Sequence, residues 1–191
     1  MEDKEYTYHE TPATAQPDAT HWYAVNVYRN RVFALRDELQ DICEETYIPC
    51  HMGCSHDNKR PRLRPLVSRL MFVRCGESEV LRLETEHLGN PRLTPFRVYR
   101  NISRTRPAAV TDEELSVLRL LVTSGEGGVE IYLQRQGDYL SGDLVRVIGG
   151  PFKGAEGRLR RIRNNRRVVV ELPCGLSLLL PFLPKVFLEK I

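Results

Sequence analysis

From His21 to Tyr28 the side chains alternate as HWYAVNVY, placing Trp22, Ala24 and Asn26 on one face of a strand and Tyr23, Val25 and Val27 on the other, which is the buried one. The period then lengthens. Val32, Leu35, Leu39 and Ile42 recur at spacings of three and four, the stripe of an amphipathic helix, with Asn30 placed to cap it. Residues 45–50 predict a second short strand, and residues 53–64, rich in turn formers and charges, a flexible excursion. Residues 65–74 predict a longer strand that is apolar at nearly every position, the pattern of burial on both faces. A second helix is expected over 77–88 and a fourth strand over 96–100. Thr111-Asp112-Glu113-Glu114 is a capping box opening a third helix with Leu115, Leu118, Leu121 and Val122. The order β-α-β-β-α-β-α predicts an α+β fold, an antiparallel sheet with helices on one side.

Thr123-Ser124-Gly125-Glu126-Gly127-Gly128 is small and glycine-rich where that helix ends, and beyond it the period returns to two. Strands are expected over 144–148 and 157–162, with Gly149-Gly150-Pro151 forming the turn between them. Asn164-Asn165 before Val168-Val169-Val170 is a hairpin signal, because Asn tolerates positive φ. An apolar strand over 176–180, a turn at 181–184 and a closing strand over 185–188 complete a small β-barrel. The chain therefore divides into an acidic tail at 1–20 expected to be disordered, a domain at 21–122, a linker at 123–140 and a barrel at 141–191.

Composition narrows the function classes. No run approaches the roughly 18 apolar residues of a spanning helix, and the N-terminus lacks a basic-then-apolar leader, so no membrane association is expected and the cytoplasm is the expected compartment. Five cysteines, an odd number, do not form a disulfide framework. The net charge of +3 hides basic blocks at 58–74 and 142–167, which favour phosphate or an acidic protein surface. Cys50-His51-Met52-Gly53-Cys54-Ser55-His56 has zinc-ligand residue types but no second paired motif, so no metal site is assigned. Cys50 and His51 are adjacent on a strand and point to opposite faces, which defeats a nucleophile and its base. No catalytic residue and no cofactor is expected, and the chain is not read as an enzyme.

The order Asp143, Val145, Val147, Gly149-Gly150-Pro151-Phe152-Lys153-Gly154, Gly157 resembles the KOW motif of transcription and ribosomal proteins, whose characteristic glycine is matched by Gly154 or Gly157. Trp22-Tyr23-Ala24-Val25 before an amphipathic helix, Tyr47-Ile48-Pro49, the apolar run 65–73, Pro107 with the capped helix, and a glycine linker before that motif together resemble the NusG family over roughly residues 21–191. Ser68-Arg69-Leu70, where NusG has Pro-Gly-Tyr, and the acidic tail point to a specialised paralogue, and Arg29-Asn30-Arg31-Val32-Phe33 with the run Leu66 to Arg74 is most similar to the antiterminators of capsular and surface polysaccharide operons, RfaH-like in role.

The resemblance implies an NGN domain followed by an SH3-like KOW barrel, and a monomer that docks on the clamp helices of RNA polymerase and suppresses pausing. It implies polymerase contact through Ala24, Val67, Leu70 and Phe72. Non-template DNA or leader RNA would meet Tyr28, Arg29 and Arg31, where an aromatic ring beside guanidinium groups suits a base and its phosphates. Ribosomal protein S10 or Rho would meet the barrel loop at Phe152 and Lys153, with Phe152 either an exposed tip or a plug at one end of the barrel. The rival reading is a ribosome-associated or RNA-binding KOW protein acting through its arginines.

Overall fold

The computed structural model describes residues 19–55, 58–101, 103–123, 130–133, 142–162 and 165–191. In chain order its first ten elements are β1 (His21–Val27), α1 (Val32–Leu39), β2 (Glu45–Tyr47), β3 (Cys50–Ser55), β4 (Asn58–Pro65), β5 (Leu70–Cys75), α2 (Glu77–Gly89), β6 (Phe96–Val98), β7 (Ala109–Val110) and α3 (Asp112–Thr123). The alternation at 21–27 builds the centre of the first sheet, ordered β2-β5-β1-β6 with β7 also paired to β1, every pairing antiparallel. The register sets Ala24 opposite Phe72 and Asn26 opposite Leu70.

Both faces of the β1–β5 pair are buried. On one, Tyr23, Val25, Val27, Met71 and Val73 pack with Val32, Leu35 and Leu39 of α1 and Val80 and Leu83 of α2. On the other, Trp22, Ala24, Leu70 and Phe72 pack with Leu115, Leu118 and Leu121 of α3. Helices thus lie on both faces, not one, because the doubly apolar strand needs a cover on each side. The capping box at the head of α3 forms as expected: the Thr111 amide donates to Glu114 Oε2 at 2.8 Å, and the Glu114 amide to Thr111 Oγ1 at 3.2 Å.

Local expectations fail in several places, the closing strand expected over 185–188 among them, since Lys185–Phe187 forms a 3-10 turn. The excursion at 53–64 is part of a two-stranded hairpin, β3 with β4, that pairs with neither sheet. The run 65–74 is not one strand, since β4 ends at Pro65 and β5 begins at Leu70, with the Leu70 amide turned back onto the Val67 carbonyl at 3.1 Å. Asn30 is not the cap of α1: it has φ 55°, and Arg31 stands at the cap position with no side-chain hydrogen bond. Helix α1 then stops at Leu39, leaving Ile42 exposed while Cys43 takes the buried place.

The second sheet joins β8 (Glu130–Leu133), β9 (Asp143–Val147), β10 (Glu156–Ile162), β11 (Asn165–Glu171), β12 (Leu176–Leu179) and β13 (Leu188–Lys190) in the order β13-β9-β10-β11-β12-β8. Strand β8 falls inside the stretch expected to be linker, where it pairs with β12 from Leu133 opposite Leu176 to Glu130 opposite Leu179. Between β9 and β10 the turn closes with the Gly154 amide on the Val147 carbonyl at 2.7 Å, and Gly154 itself has φ 93°. Gly157 answers a different need. A Cβ there would stand 2.4 Å from the Val169 carbonyl oxygen of the neighbouring strand.

Gly157→Ala must therefore push β10 and β11 apart, and denaturant unfolding is expected to show a loss of about 2–4 kcal/mol. Gly89→Ala, at the end of α2 with open space around the added carbon, is expected to be neutral or stabilising by up to ~1 kcal/mol. Equal effects at the two positions would contradict the packing described for Gly157.

Candidate functional site

The face of the first sheet that carries Trp22, Ala24, Leu70 and Phe72 is where chemistry and packing disagree most with a simple two-layer domain. Helix α3 covers only one end of it. There Trp22 Nε1 donates to Asp112 Oδ1 at 2.8 Å, and the Arg119 guanidinium lies 5.1 Å from the ring centroids of both Trp22 and Tyr47. Arg74 adds contacts to Glu45 at 3.1 Å and to Asp112 at 3.5 Å, so the joint between helix and sheet is aromatic within and ionic at its edge.

The second sheet shares the same apolar packing. One continuous apolar cluster runs from Ala24, Leu70 and Phe72 into Val145, Val147, Val168, Val170, Leu176 and Leu178. Tyr47, Val67 and Tyr99 sit half-buried at its border. The turn between β11 and β12 reaches into this seam with Cys174, which is 4% exposed. Burial pushes its thiol up to about 12, with Glu114 of α3 adding to the effect. Burial likewise raises the Tyr99 hydroxyl, with Cys174 a further raising influence and Arg69 a lowering one. These four residues come from four separate parts of the chain, and the seam is where they meet.

Three of the expected polymerase contacts, Ala24, Leu70 and Phe72, are therefore fully buried within the molecule, and Val67 is half-buried. Their apolar character reads directly from the sequence. That the chain supplies its own cover does not, because the residues facing them lie about a hundred positions away.

The corner at Tyr28, Arg29 and Arg31 is built differently. A single turn of 3-10 helix spans Tyr28–Asn30, and two successive residues other than glycine, Arg29 at φ 57° and Asn30 at φ 55°, occupy the left-handed region. Arg29 there costs of order 1–3 kcal/mol and Asn30 less, since Asn tolerates positive φ, and such strain collects at functional sites. Arg29, Asn30 and Arg31 are exposed and Tyr28 is half-buried. Strand pairing adds two arginines that sequence reading left apart: the Val27 amide donates to the Arg69 carbonyl at 2.8 Å, and Arg97 stands opposite Asn26. Both side chains are exposed. Spacing along the chain carries no signal for them, since only the register of β1 with its neighbours brings them to the corner.

In the second sheet Phe152 is buried at 3% exposure, which corrects the exposed-tip expectation and leaves the plug, while Lys153 is exposed. The large apolar side chains exposed there include Phe182 at 69%, Val186 at 75% and Ile148 at 45%, and the Ile148 amide donates to the Phe187 carbonyl at 2.8 Å beside Val186. The proline-flanked run PFLP was the available signal for Phe182. Among the described residues no three His, Cys, Asp or Glu side chains gather to hold a metal, and no helix is long and apolar enough to cross a membrane. The side chains of Cys54 and His56, part of the stretch weighed for zinc, lie outside the described residues.

Two family models match the chain: "Transcription termination factor nusG" over residues 20–119 and "KOW motif" over residues 141–171. No curated protein matches. Among solved structures the chain is similar to one described as "Domain interaction in Thermotoga maritima NusG", at 19% identity over 91% of this chain and 98% of that one, with a TM-score of 0.44. It is also similar to "Crystal Structure of MjSpt4:Spt5 complex conformation B", at 17% identity over 89% of this chain and 96% of that one, with a TM-score of 0.25.

The seam has a pH signature. Folding raises the Cys174 thiol from 9.0 to about 12, so the protonated thiol is favoured by the fold. That stabilisation is complete below pH 9.0 and disappears as pH rises toward about 12. Unfolding midpoints measured across this window are expected to fall more steeply for the native chain than for Cys174→Ala. Equal slopes would place the thiol outside the buried seam.

Proposed function

This chain belongs to the NusG family of transcription elongation factors, and from that premise we propose that it binds RNA polymerase through the face carrying Ala24, Val67, Leu70 and Phe72 once the second sheet has moved away. The observation that carries the reading is the second apolar face of β1 and β5. One of its two covers, α3, is held by the Trp22–Asp112 hydrogen bond and the Arg119 stack, whereas the other belongs to the KOW portion, beyond the glycine-rich segment at 123–128. An apolar partner such as a pair of clamp helices takes the place of the second cover. In this state polymerase and the second sheet compete for one face, so differential affinity sets the population that is free to dock.

On polymerase the factor acts by binding and without chemistry, holding the elongating state against the paused one to promote processive transcription of particular operons. The role as a specialised paralogue is supported by Ser68-Arg69-Leu70 and the acidic tail, and antitermination of polysaccharide operons by residues 29–33 and 66–74. Tyr28, Arg29 and Arg31, with Arg69 and Arg97 beside them, form the corner for non-template DNA or leader RNA: guanidinium groups hold phosphates and the tyrosine ring offers a stacking face. Domain limits at 21–122 and 141–191, with β8 at Glu130–Leu133 added to the second, are part of this reading. For a ribosomal or Rho partner, Lys153 remains an exposed contact, while Phe182, Val186 and Ile148 replace Phe152 as its apolar surface.

A second reading has its own observation. In the β10–β11 hairpin Arg160 stands opposite Arg167 and Arg161 opposite Arg166, which sets four guanidinium groups on adjacent strands and raises the local positive potential that draws an anion. RNA phosphates would serve, with binding that weakens steeply as salt is added.

Pull-down of core RNA polymerase by the full chain tests the leading reading. Val67→Asp, at the border of the face, is expected to weaken capture about tenfold or more, since ~1.4 kcal/mol is enough for that factor. Polymerase should also expose Cys174 to iodoacetamide, which the free chain resists. Unchanged capture by Val67→Asp together with unchanged Cys174 protection would overturn docking at this face, and RNA binding lost only in Arg161→Glu/Arg166→Glu would favour the second reading.

A further inference from the structure

The apolar cluster on the opposite face of β1 and β5 ends on two thiols that the docking reading does not use. Cys43 follows α1 and Cys75 is the last residue of β5. The Glu44 amide donates to the Arg74 carbonyl at 3.0 Å and Glu45 is the register partner of Arg74, so the chain entering β2 runs antiparallel to the end of β5 with Cys43 brought beside Cys75. Both are free thiols, 6% and 4% exposed, and their side chains share a hydrogen bond. That bond makes the two chemically unequal. The thiol of Cys75 is held above the ordinary thiol range, chiefly by the bond to Cys43, whereas the same bond holds Cys43 below it against the opposing effects of burial and Glu79. Cys50 and Cys174 are both raised by burial.

We propose that Cys43 and Cys75 are the site of a reversible intramolecular disulfide, formed when a hydroperoxide oxidises the pair. The Cys43 thiolate attacks one peroxide oxygen, an S–O bond forms as the O–O bond breaks, and the other oxygen leaves as an alkoxide or hydroxide that takes up a proton. Cys75 then attacks the sulfur of the Cys43 sulfenic acid. The S–S bond forms, the S–O bond breaks, and hydroxide leaves with the Cys75 proton as water. Two thiols and one hydroperoxide thus give one disulfide, one alcohol or water, and one further water, with two electrons passing from sulfur to oxygen. A thiol reductant reverses the result.

The bridge ties the corner after α1 to the start of α2 and closes a loop containing β2, the β3–β4 hairpin and most of β5. It lies on the face of the sheet away from Ala24 and Phe72, so it stands or falls independently of polymerase docking. The loop closure predicts a higher melting temperature for the oxidised chain than for the reduced one.

The full chain treated with equimolar hydrogen peroxide near neutral pH, quenched by alkylation and mapped without reduction, is expected to give a Cys43–Cys75 linked peptide as its first oxidation product. Two of the five thiols should disappear from the titration and return with dithiothreitol, while Cys174 remains reduced. Cys43→Ser and Cys75→Ser should each abolish the linked peptide, and Cys43→Ala serves in place of the serine variant if that one does not fold. Oxidation of Cys50 or Cys174 before the pair, or conversion of Cys43 to the sulfinic acid without any linked peptide, would overturn the proposal.

Discussion

A strand pair whose two faces are both apolar cannot rest against a single layer, and most of this molecule is arranged around meeting that demand for β1 and β5. Leaving one large apolar side chain in water instead of burying it costs about 1.5–3 kcal/mol, so a face holding Trp22, Leu70 and Phe72 cannot stand open cheaply. Helices α1 and α2 satisfy the first face completely. The second is shared, with α3 at the end near Trp22 and the second sheet at the end near Leu70. On the proposed reading a partner replaces the cover that belongs to the second sheet, which would make a packing requirement into a binding site.

Charge follows the same division. Carboxylates inside the first domain are spent on structure: Glu84 accepts from the Val98 amide at 2.9 Å and from Arg100 at 2.6 Å, and Glu38 accepts from both the amide and the hydroxyl of Thr94. His87 completes that joint with Nδ1 donating to the Thr94 carbonyl at 2.9 Å. These bonds bind α1 and α2 to the approach of β6. Among the described residues the arginines at the β1 corner show no such carboxylate bond, and they stand exposed beside a strained backbone turn. A rigid platform with a cationic corner suits a factor that holds polymerase with one surface and touches nucleic acid with another.

Several features were readable from residue order because they depend on neighbours within a few positions. The alternation at 21–27 and the three-and-four spacing of Val32, Leu35 and Leu39 correspond to β1 and α1, and Thr111 and Glu114 close their capping box as their spacing requires. Where local signals misled, a nonlocal or backbone term had intervened. Asn30 has good capping chemistry, but the corner bends through the left-handed region and leaves it outside the helix. The charged run at 53–64 resembled a loop because a two-stranded hairpin off the main sheets has little need of alternating apolar residues. Phe152 looked like a tip because it follows three turn-forming residues, yet the turn folds its ring inward.

The amino-acid sequence by itself determined the family, the doubly apolar central strand and the residue types at each candidate surface, since these are properties of composition and short-range spacing. Only the tertiary structure decided what lies across from what. It joined apolar residues of the second sheet to Ala24, Leu70 and Phe72 in one cluster, brought Arg69 and Arg97 to the corner of Arg29, buried Cys174 in the seam, and placed Cys43 beside Cys75. The physical reason is common to all four. Strand register and face-to-face packing join residues tens to over a hundred positions apart, and no periodicity in a linear chain records which distant face will bury which.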